Sequence, residues 1–364
     1  MKVGLIFGTR PEAIKMSPVY HELKENGIDV KVVVTGQHKE MLYQVLDLFE
    51  IKPDYDLQIM KQGQGLSELT GRLMLELDKI VKEEKFDYIL VQGDTTSVLT
   101  GALTAFYNQI PVGHIEAGLR TGNIYSPFPE EANRKLVGNI ADIHFAPTDI
   151  NVNNLLKENY PKEKIIKCGN TVIDALYWVK KNKSKDIEEI KKKYVVDNKK
   201  YILITMHRRE NWGKPMEETL KAVRDYLEKH KDIYLVFPMH LNPLVRNTAH
   251  RVLDGFERKI LIEPLEYLEF IAIMDGAHYI MTDSGGVQEE APSLGKPTLV
   301  LRDTTERPEA IEAGTAKLTG TKYEDVIKDM ELLEGEAYEK MSKANNPYGD
   351  GKTSERIRKY LETI

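Results

Sequence analysis

The feature that most constrains this chain is a recurring unit: a short, continuous, β-branched apolar run, then Gly, Pro or a polar cluster, then a helix-period stretch. In the first half the runs fall at 3–7, 30–34, 88–91, 112–115 and 143–146, and in the second at 201–205, 233–237, 260–262, 279–282 and 298–301. Runs that do not alternate with polar residues read as strands buried on both faces, which belong to parallel sheets covered by helices. Two such sets predict an α/β chain of two doubly wound, Rossmann-like domains facing across a cleft. The break is expected near Gly169, giving a first domain over 1–168 and a second over 169–345. The highly charged stretch 180–200 reads as a solvated helix.

With 364 residues there is chain enough for two cores. Fifty-one basic against 57 acidic side chains, a net charge of -6, argue against a nucleic-acid partner, which would draw a positive surplus. The single cysteine, Cys168, excludes an intrachain disulfide and any Cys-rich metal site. The first apolar run stops at Phe7, too short for a secretory leader, and no run nears the ~18 residues of a membrane span. These features predict a cytoplasmic protein without a membrane partner.

In doubly wound sheets ligands bind beyond the strand C-termini, so the residues after each run carry the functional reading. After 3–7 come Gly8, Thr9, Arg10, Pro11 and Glu12, where Thr9 and Glu12 have capping-box spacing and Pro11 suits a first helical turn. A helix is expected to start there, its free N–H groups attracting an anion beside Arg10 and Lys15. Asp94 and Glu116 come after two adjacent runs, and Glu130 and Glu131 open a later helix. In the second half His207, Arg208 and Arg209 come after one run as an anion clamp, and His240 with Asn242 after the next. The segment Thr282–Asp283–Ser284–Gly285–Gly286 ends a strand and starts a helix, the arrangement that holds a pyrophosphate on exposed N–H groups. Glu290 lies one turn further, placed to accept from ribose hydroxyls, and Arg302 to Arg307 come after the next run.

No G-x-G-x-x-G, P-loop, H-E-x-x-H, paired-Cys or G-x-S-x-G pattern occurs, which disfavours NAD, P-loop nucleotides, zinc and a serine nucleophile. Carboxylates on one side and a diphosphate site on the other describe a nucleotide-sugar enzyme that needs no cofactor and no metal.

The motifs FGTRPEAIKM (7–16), GDTT (93–96), EAGLRT (116–121), PEEANR (129–134), GNTVIDA (169–175), HRRE (207–210), HLNP (240–243), TDSGGVQEEAPSLGK (282–296) and RDTTERPE (302–309) resemble, in order and spacing, the non-hydrolysing UDP-N-acetylglucosamine 2-epimerases of GT-B-like fold. The resemblance implies C2 epimerisation of UDP-GlcNAc to UDP-ManNAc through elimination of UDP to 2-acetamidoglucal and re-addition, feeding cell-surface polysaccharide synthesis. It implies a homodimer, and a last helix, about 346–364, that packs back on the first domain. It assigns catalysis to Asp94, Glu116, Glu130 and His207, and UDP or substrate binding to Arg10, Lys15, His240, Asn242, Ser284, Gly285, Gly286, Glu290 and Arg307. A second UDP-GlcNAc site would use Gln37, His38, Gln64, Glu131 and Arg208, although the chain has Gly63 where regulated members carry Arg. Three alternatives stand beside this reading: the hydrolysing relative that releases ManNAc and UDP, a GT-B glycosyltransferase, and a non-catalytic UDP-sugar sensor.

Overall fold

The computed structural model describes residues 1–36, 39–59, 61 and 63–364. It divides into two compact units, Met1–Trp178 with Tyr348–Ile364, and Val179–Pro347.

The first unit is built on seven strands: β1 (Lys2–Phe7), β2 (Asp29–Val34), β3 (Tyr55–Asp56), β4 (Tyr88–Gln92), β5 (Val112–Ile115), β6 (Ile143–Ala146) and β7 (Ile165–Lys167). They lie in the order β3-β2-β1-β4-β5-β6-β7, every pair parallel. The second unit has six: β8 (Lys200–Thr205), β9 (Ile233–Pro238), β10 (Lys259–Ile262), β11 (Tyr279–Thr282), β12 (Thr298–Val300) and β13 (Ala316–Leu318). Their order, β10-β9-β8-β11-β12-β13, repeats the same winding, again wholly parallel. In each sheet the winding reverses beside its first strand, between β1 and β4 and between β8 and β11, and the crevice at that reversal is where such sheets take ligands.

Each predicted apolar run is a strand, because a strand covered on both faces must be apolar throughout; β4 is buried at all five positions, whereas β10, expected to be fully buried, lies at a sheet edge and is half buried. The strands β3, β7 and β13 were not expected. Two or three residues long, at sheet edges and half exposed, they carry no apolar run to betray them.

The expected break at Gly169 falls ahead of the helix Thr171–Asn182, most of which belongs with the first unit. Three contacts hold it there: the backbone N–H of Asn170 donates to Tyr348 O at 2.6 Å, Ser354 N–H donates to Asp174 Oδ1 at 2.7 Å, and Trp178 stacks on His21 with ring centroids 4.8 Å apart. The last helix, Thr353–Leu361, lies against the helix Arg10–Glu25, pinned by Arg358 Nε to Glu22 at 2.7 Å and by Tyr360 edge-on to Phe145. The charged stretch becomes the end of one helix and all of a second, Ser184–Lys193, of which Ile187 alone is buried.

Candidate active site

The C-terminal edge of the first sheet begins with the turn after β1. Gly8 cannot be replaced there, since a Cβ would lie 1.9 Å from Thr35 Oγ1 and 2.7 Å from Ser97 Oγ. The capping box forms as read: Thr9 Oγ1 accepts from Glu12 N–H, and the Glu12 carboxylate reaches back. That carboxylate is more fully engaged than its spacing implies. Glu12 Oε2 accepts from the N–H groups of Gly8 and Thr9 at 2.7 and 2.8 Å, and Thr95 Oγ1 donates to Oε1 at 2.5 Å. The helix therefore supplies its own carboxyl, which takes up two of the N–H groups at the end expected to draw a ligand. Burial pushes the Glu12 carboxyl up, against the hydrogen bonds from Thr95, Gly8 and Thr9. The Arg10 side chain at this end is half exposed.

Lys15, one turn on, is turned toward the end of β5: its Nζ donates to Glu116 Oε1 at 2.5 Å. Asn170 Nδ2 donates to the same oxygen at 3.1 Å, and Gln92 Nε2 donates to Oε2. Glu116 holds φ of +65°, a conformation a non-glycine residue keeps only where its surroundings enforce it, and such residues gather at functional sites. Underneath, His114 Nε2 donates to Gly93 O at 2.7 Å, tying the β5 end to the turn that carries Asp94. Burial lowers the His114 pKa to about 4 and that of its cross-strand neighbour His144 to about 3, so both rings are neutral.

Asp94 is paired with Arg134, whose Nε and second terminal nitrogen lie 2.8 and 2.7 Å from Asp94 Oδ2, while Asn133 Nδ2 donates to the Asp94 carbonyl at 2.8 Å. The other face of the same guanidinium binds Glu131 Oε2 at 2.9 Å, and Glu131 Oε1 accepts from Gly122 N–H at 3.1 Å. Burial pushes the Glu131 carboxyl up, but Arg134 and the Thr121 and Gly122 N–H groups outweigh it and hold it below the usual range. With no exposed side-chain surface and both oxygens engaged, Glu131 is a brace for Asp94 in this structure. Its neighbour Glu130 stands half exposed in the first turn of the helix Glu130–Ile140.

The edge of the second sheet is organised around Asp283, fully buried at the end of β11. Its carboxylate accepts from the N–H groups of His207 and Arg208 at 3.0 Å and from Asn211 Nδ2 at 2.9 Å, which locks the turn after β8 to the turn after β11. His207 and His240 lie with ring centroids 6.3 Å apart. The His207 side chain reaches solvent, yet the atoms packed about it disfavour the imidazolium and lower its pKa, a tendency Asp283 opposes and His240 reinforces. Asn242 N–H donates to His240 Nδ1 at 3.1 Å, leaving Nε2 as the nitrogen that carries the proton. Asn242 itself is the N-cap of the helix Pro243–Val252, its Oδ1 accepting from Leu244 N–H at 2.9 Å.

Ser284 precedes the short helix Gly285–Glu290. A Cβ on Gly285 or Gly286 would meet nothing closer than 3.9 Å, and neither has positive φ, so packing alone does not demand glycine there. The absence of side chains instead bares the first N–H groups of the helix. Arg307 approaches Gly285 and is held by Glu289, Nε to Oε1 at 2.5 Å, and Glu290 Oε2 accepts from Tyr267 OH at 3.0 Å. Arg208 lies 3.9 Å from Glu210 and 3.6 Å from Glu306, in a loose charge cluster with the nearly buried Arg302.

Of the residues singled out from sequence, Lys15 and Glu116 are brought into contact, Asp94 and Glu131 share Arg134, and Ser284, Gly285, Gly286, Glu290 and Arg307 surround one turn. Gln37 and His38 lie outside the described residues, and Gln64 is half buried. Missed as site residues were the braces Gln92, His114, Arg134, Asn170, Asp283 and Tyr267. Gln92, Arg134, Asn170 and Asp283 stood inside or beside the quoted motifs, whereas nothing in the sequence around His114 or Tyr267 marks them. Among the described residues no cluster of His, Cys, Asp or Glu could hold a metal ion, and no helix is long and apolar enough to cross a membrane.

Two wholly parallel, doubly wound sheets, one edged with paired carboxylates and the other with a glycine turn and basic side chains, define an α/β protein of the Rossmann-like, GT-B-like class. A family model described as UDP-N-acetylglucosamine 2-epimerase matches residues 21–362. The chain is 54% identical to the UDP-N-acetylglucosamine 2-epimerase of Bacillus subtilis, covering 98% of this chain and 94% of that one. It is 53% identical to the enzyme of the same name from Escherichia coli K12, covering 100% and 98%. The crystal structure of the Neisseria meningitidis UDP-GlcNAc 2-epimerase bound to UDP-GlcNAc superposes with a TM-score of 0.86 at 50% identity, covering both chains fully. The chain belongs to the UDP-N-acetylglucosamine 2-epimerase family.

Proposed function

We propose that this protein is an isomerase that interconverts UDP-GlcNAc and UDP-ManNAc by inverting C2, without hydrolysis and without a redox cofactor. The observation that carries the reading is the geometry of the first sheet's edge, where Glu116 and Asp94 are each held beside a cation, Lys15 and Arg134. C2 of the sugar has no adjacent carbonyl, so removing its proton alone would leave an unstabilised carbanion. Elimination avoids this. As a carboxylate takes the C2 proton, the C1–O bond breaks, its electron pair leaving on the β-phosphate oxygen of UDP, and a C1–C2 double bond forms. Re-addition of UDP with protonation from the opposite face gives the epimer, which calls for acid and base groups on both faces. Asp94, Glu116 and Glu130 are the groups proposed for this.

In the same proposal the second unit holds the leaving group. The N–H groups of Gly285 and Gly286, with Ser284, take the diphosphate and Glu290 the ribose; His207, His240 and Arg307 add donors. Donors already oriented where charge develops lower the barrier to loss of UDP. The proposal extends to UDP-ManNAc as product and to a homodimer, for which Phe106, Tyr107 and Leu136 offer exposed apolar surface on neighbouring helices of the first unit. A cytoplasmic setting is supported by a lone, buried Cys168.

Proton NMR of UDP-GlcNAc with the protein in deuterated water, nothing else added, tests the reading. The expected result is UDP-ManNAc carrying deuterium at C2. Free ManNAc with UDP, or an unchanged spectrum, would overturn it.

A further inference from the structure

Asn170 takes no part in the proposed chemistry, and its position is unusual. It stands just before the helix Thr171–Asn182, along which the chain leaves the first unit, and its backbone N–H donates to the carbonyl of Tyr348, the residue at which the chain returns. The junction is tight. Gly169 has φ of +94°, and a Cβ there would lie 2.7 Å from Thr353 Oγ1 and 3.2 Å from Gly349 Cα. Asn170 and Tyr348 are both almost wholly buried. The side chain of Asn170 then divides its two ends: Oδ1 accepts from Val172 N–H at 3.1 Å, which starts the outgoing helix, and Nδ2 donates to Glu116 Oε1 at 3.1 Å. One residue thus touches the outgoing chain, the returning chain and the strained carboxylate.

We propose that Asn170 is a positioning residue for Glu116, fixing the carboxylate that Lys15 also contacts and tying its orientation to the seating of the two chain segments that link the units. The inference rests on the catalytic role proposed for Glu116. Donors that reach that carboxylate include Lys15 from the helix after β1, Gln92 from β4 and Asn170 from the junction. Of these, the last depends on where the chain returns. A carboxylate that must meet C2 within a fraction of an ångström gains from a donor that restricts its rotation, and loss of such a donor lowers turnover more than it lowers binding.

The test uses the full-length protein and three substitutions. Asn170→Ala removes the donor and the helix-starting acceptor. Asn170→Asp is nearly isosteric, retains the acceptor for Val172 and turns a carboxylate toward Glu116. Asp174→Ala loosens the same junction, by removing the acceptor of Ser354 N–H, without contacting Glu116. The other groups near Glu116, Lys15, Asp94 and His114, are left untouched. Asn170→Ala is expected to lower kcat on the order of tenfold with little change in UDP affinity. Asn170→Asp is expected to move the acid limb of the kcat profile upward by about one pH unit or more, because a second negative charge makes Glu116 harder to ionise. Asp174→Ala is expected to lower Tm and leave that limb in place. Wild-type kcat and an unmoved acid limb in Asn170→Asp would overturn the inference, as would the same limb shift in Asp174→Ala. Glu116→Gln separates this failure from failure of the underlying reading: full epimerisation by Glu116→Gln would refute the role of Glu116, whereas an inactive Glu116→Gln beside fully active Asn170 variants would refute the positioning role alone.

Discussion

The two sheets share a winding and differ at their C-terminal edges. At the first, the exposed ends of the strands carry acids, and the protein supplies each with a cation: Lys15 for Glu116, Arg134 for Asp94 and Glu131. At the second, the one fully buried acid, Asp283, is spent on the backbone of its own turns, and what faces outward is a glycine turn, imidazoles and guanidiniums. In the function proposed above, the same scaffold serves once as a place that exchanges protons and once as a place that grips an anion. The difference shows that topology marks where chemistry occurs, while the partners given to each carboxylate decide which chemistry.

The comparison breaks first at Arg134. Removing one side of a buried ion pair leaves uncompensated charge, so Arg134→Leu, which strands both Asp94 and Glu131, should cost about 3–5 kcal/mol of stability, read by denaturant unfolding. A loss below about 1 kcal/mol would mean that Glu131 is not a brace.

Acid should weaken the first edge next. His114 and His144 have native pKa values of about 4 and about 3, below the ~6.5 of an unfolded histidine. Between those values the unfolded chain binds protons that the native one refuses, so their contribution is complete above pH ~6.5 and is lost as pH falls toward 4 and 3. His114 alone corresponds to a loss on the order of 3 kcal/mol. His278 in the second unit, half buried and lowered to about 4, acts in the same direction. Replacing His144, whose ring nitrogens find no partner among the described residues, by Phe should flatten the stability profile between about pH 6.5 and 4. An unaltered profile in equilibrium unfolding would show that His144 is not buried neutral.

The second edge is sharpened by Gly286→Val. There is room for a Cβ and no positive φ, so the fold should tolerate the change. A branched side chain over bared N–H groups should nevertheless weaken UDP binding by about tenfold or more, roughly 1.4 kcal/mol, in titration calorimetry. Unchanged affinity would move the diphosphate elsewhere. Smallest is Asn242→Ala, which removes a helix cap and should cost about 1 kcal/mol in thermal unfolding. Unaltered UDP affinity in that variant would confine Asn242 to its structural task.

Much of this was legible in the residues. Strands buried on both faces announce themselves as unbroken apolar runs, so ten of them could be placed, and the residues after each became the candidate list. Lys15, Asp94, Glu116, Ser284 and Glu290 were found because a parallel sheet presents to ligands the residues just beyond its strands. The edge strands were illegible because nothing about Tyr55–Asp56 differs from a loop until β2 lies beside it. The braces were hidden for a related reason. Arg134, Asn170 and Asp283 act on residues 40, 54 and 76 positions away, a pairing that only the folded chain creates. The self-capping by Glu12 was half legible: the spacing gave the capping box, but not that it would take up two of the N–H groups at the end expected to meet a ligand.

The most direct test of the division between the two edges is to follow Asp94→Asn by two readouts in one preparation: C2 hydrogen exchange of UDP-GlcNAc in deuterated water, and UDP affinity by titration calorimetry. Exchange is expected to fall by about 10²–10⁴ while UDP affinity is unchanged. Exchange at the wild-type rate, or a loss of UDP affinity as large as the loss of exchange, would contradict that division.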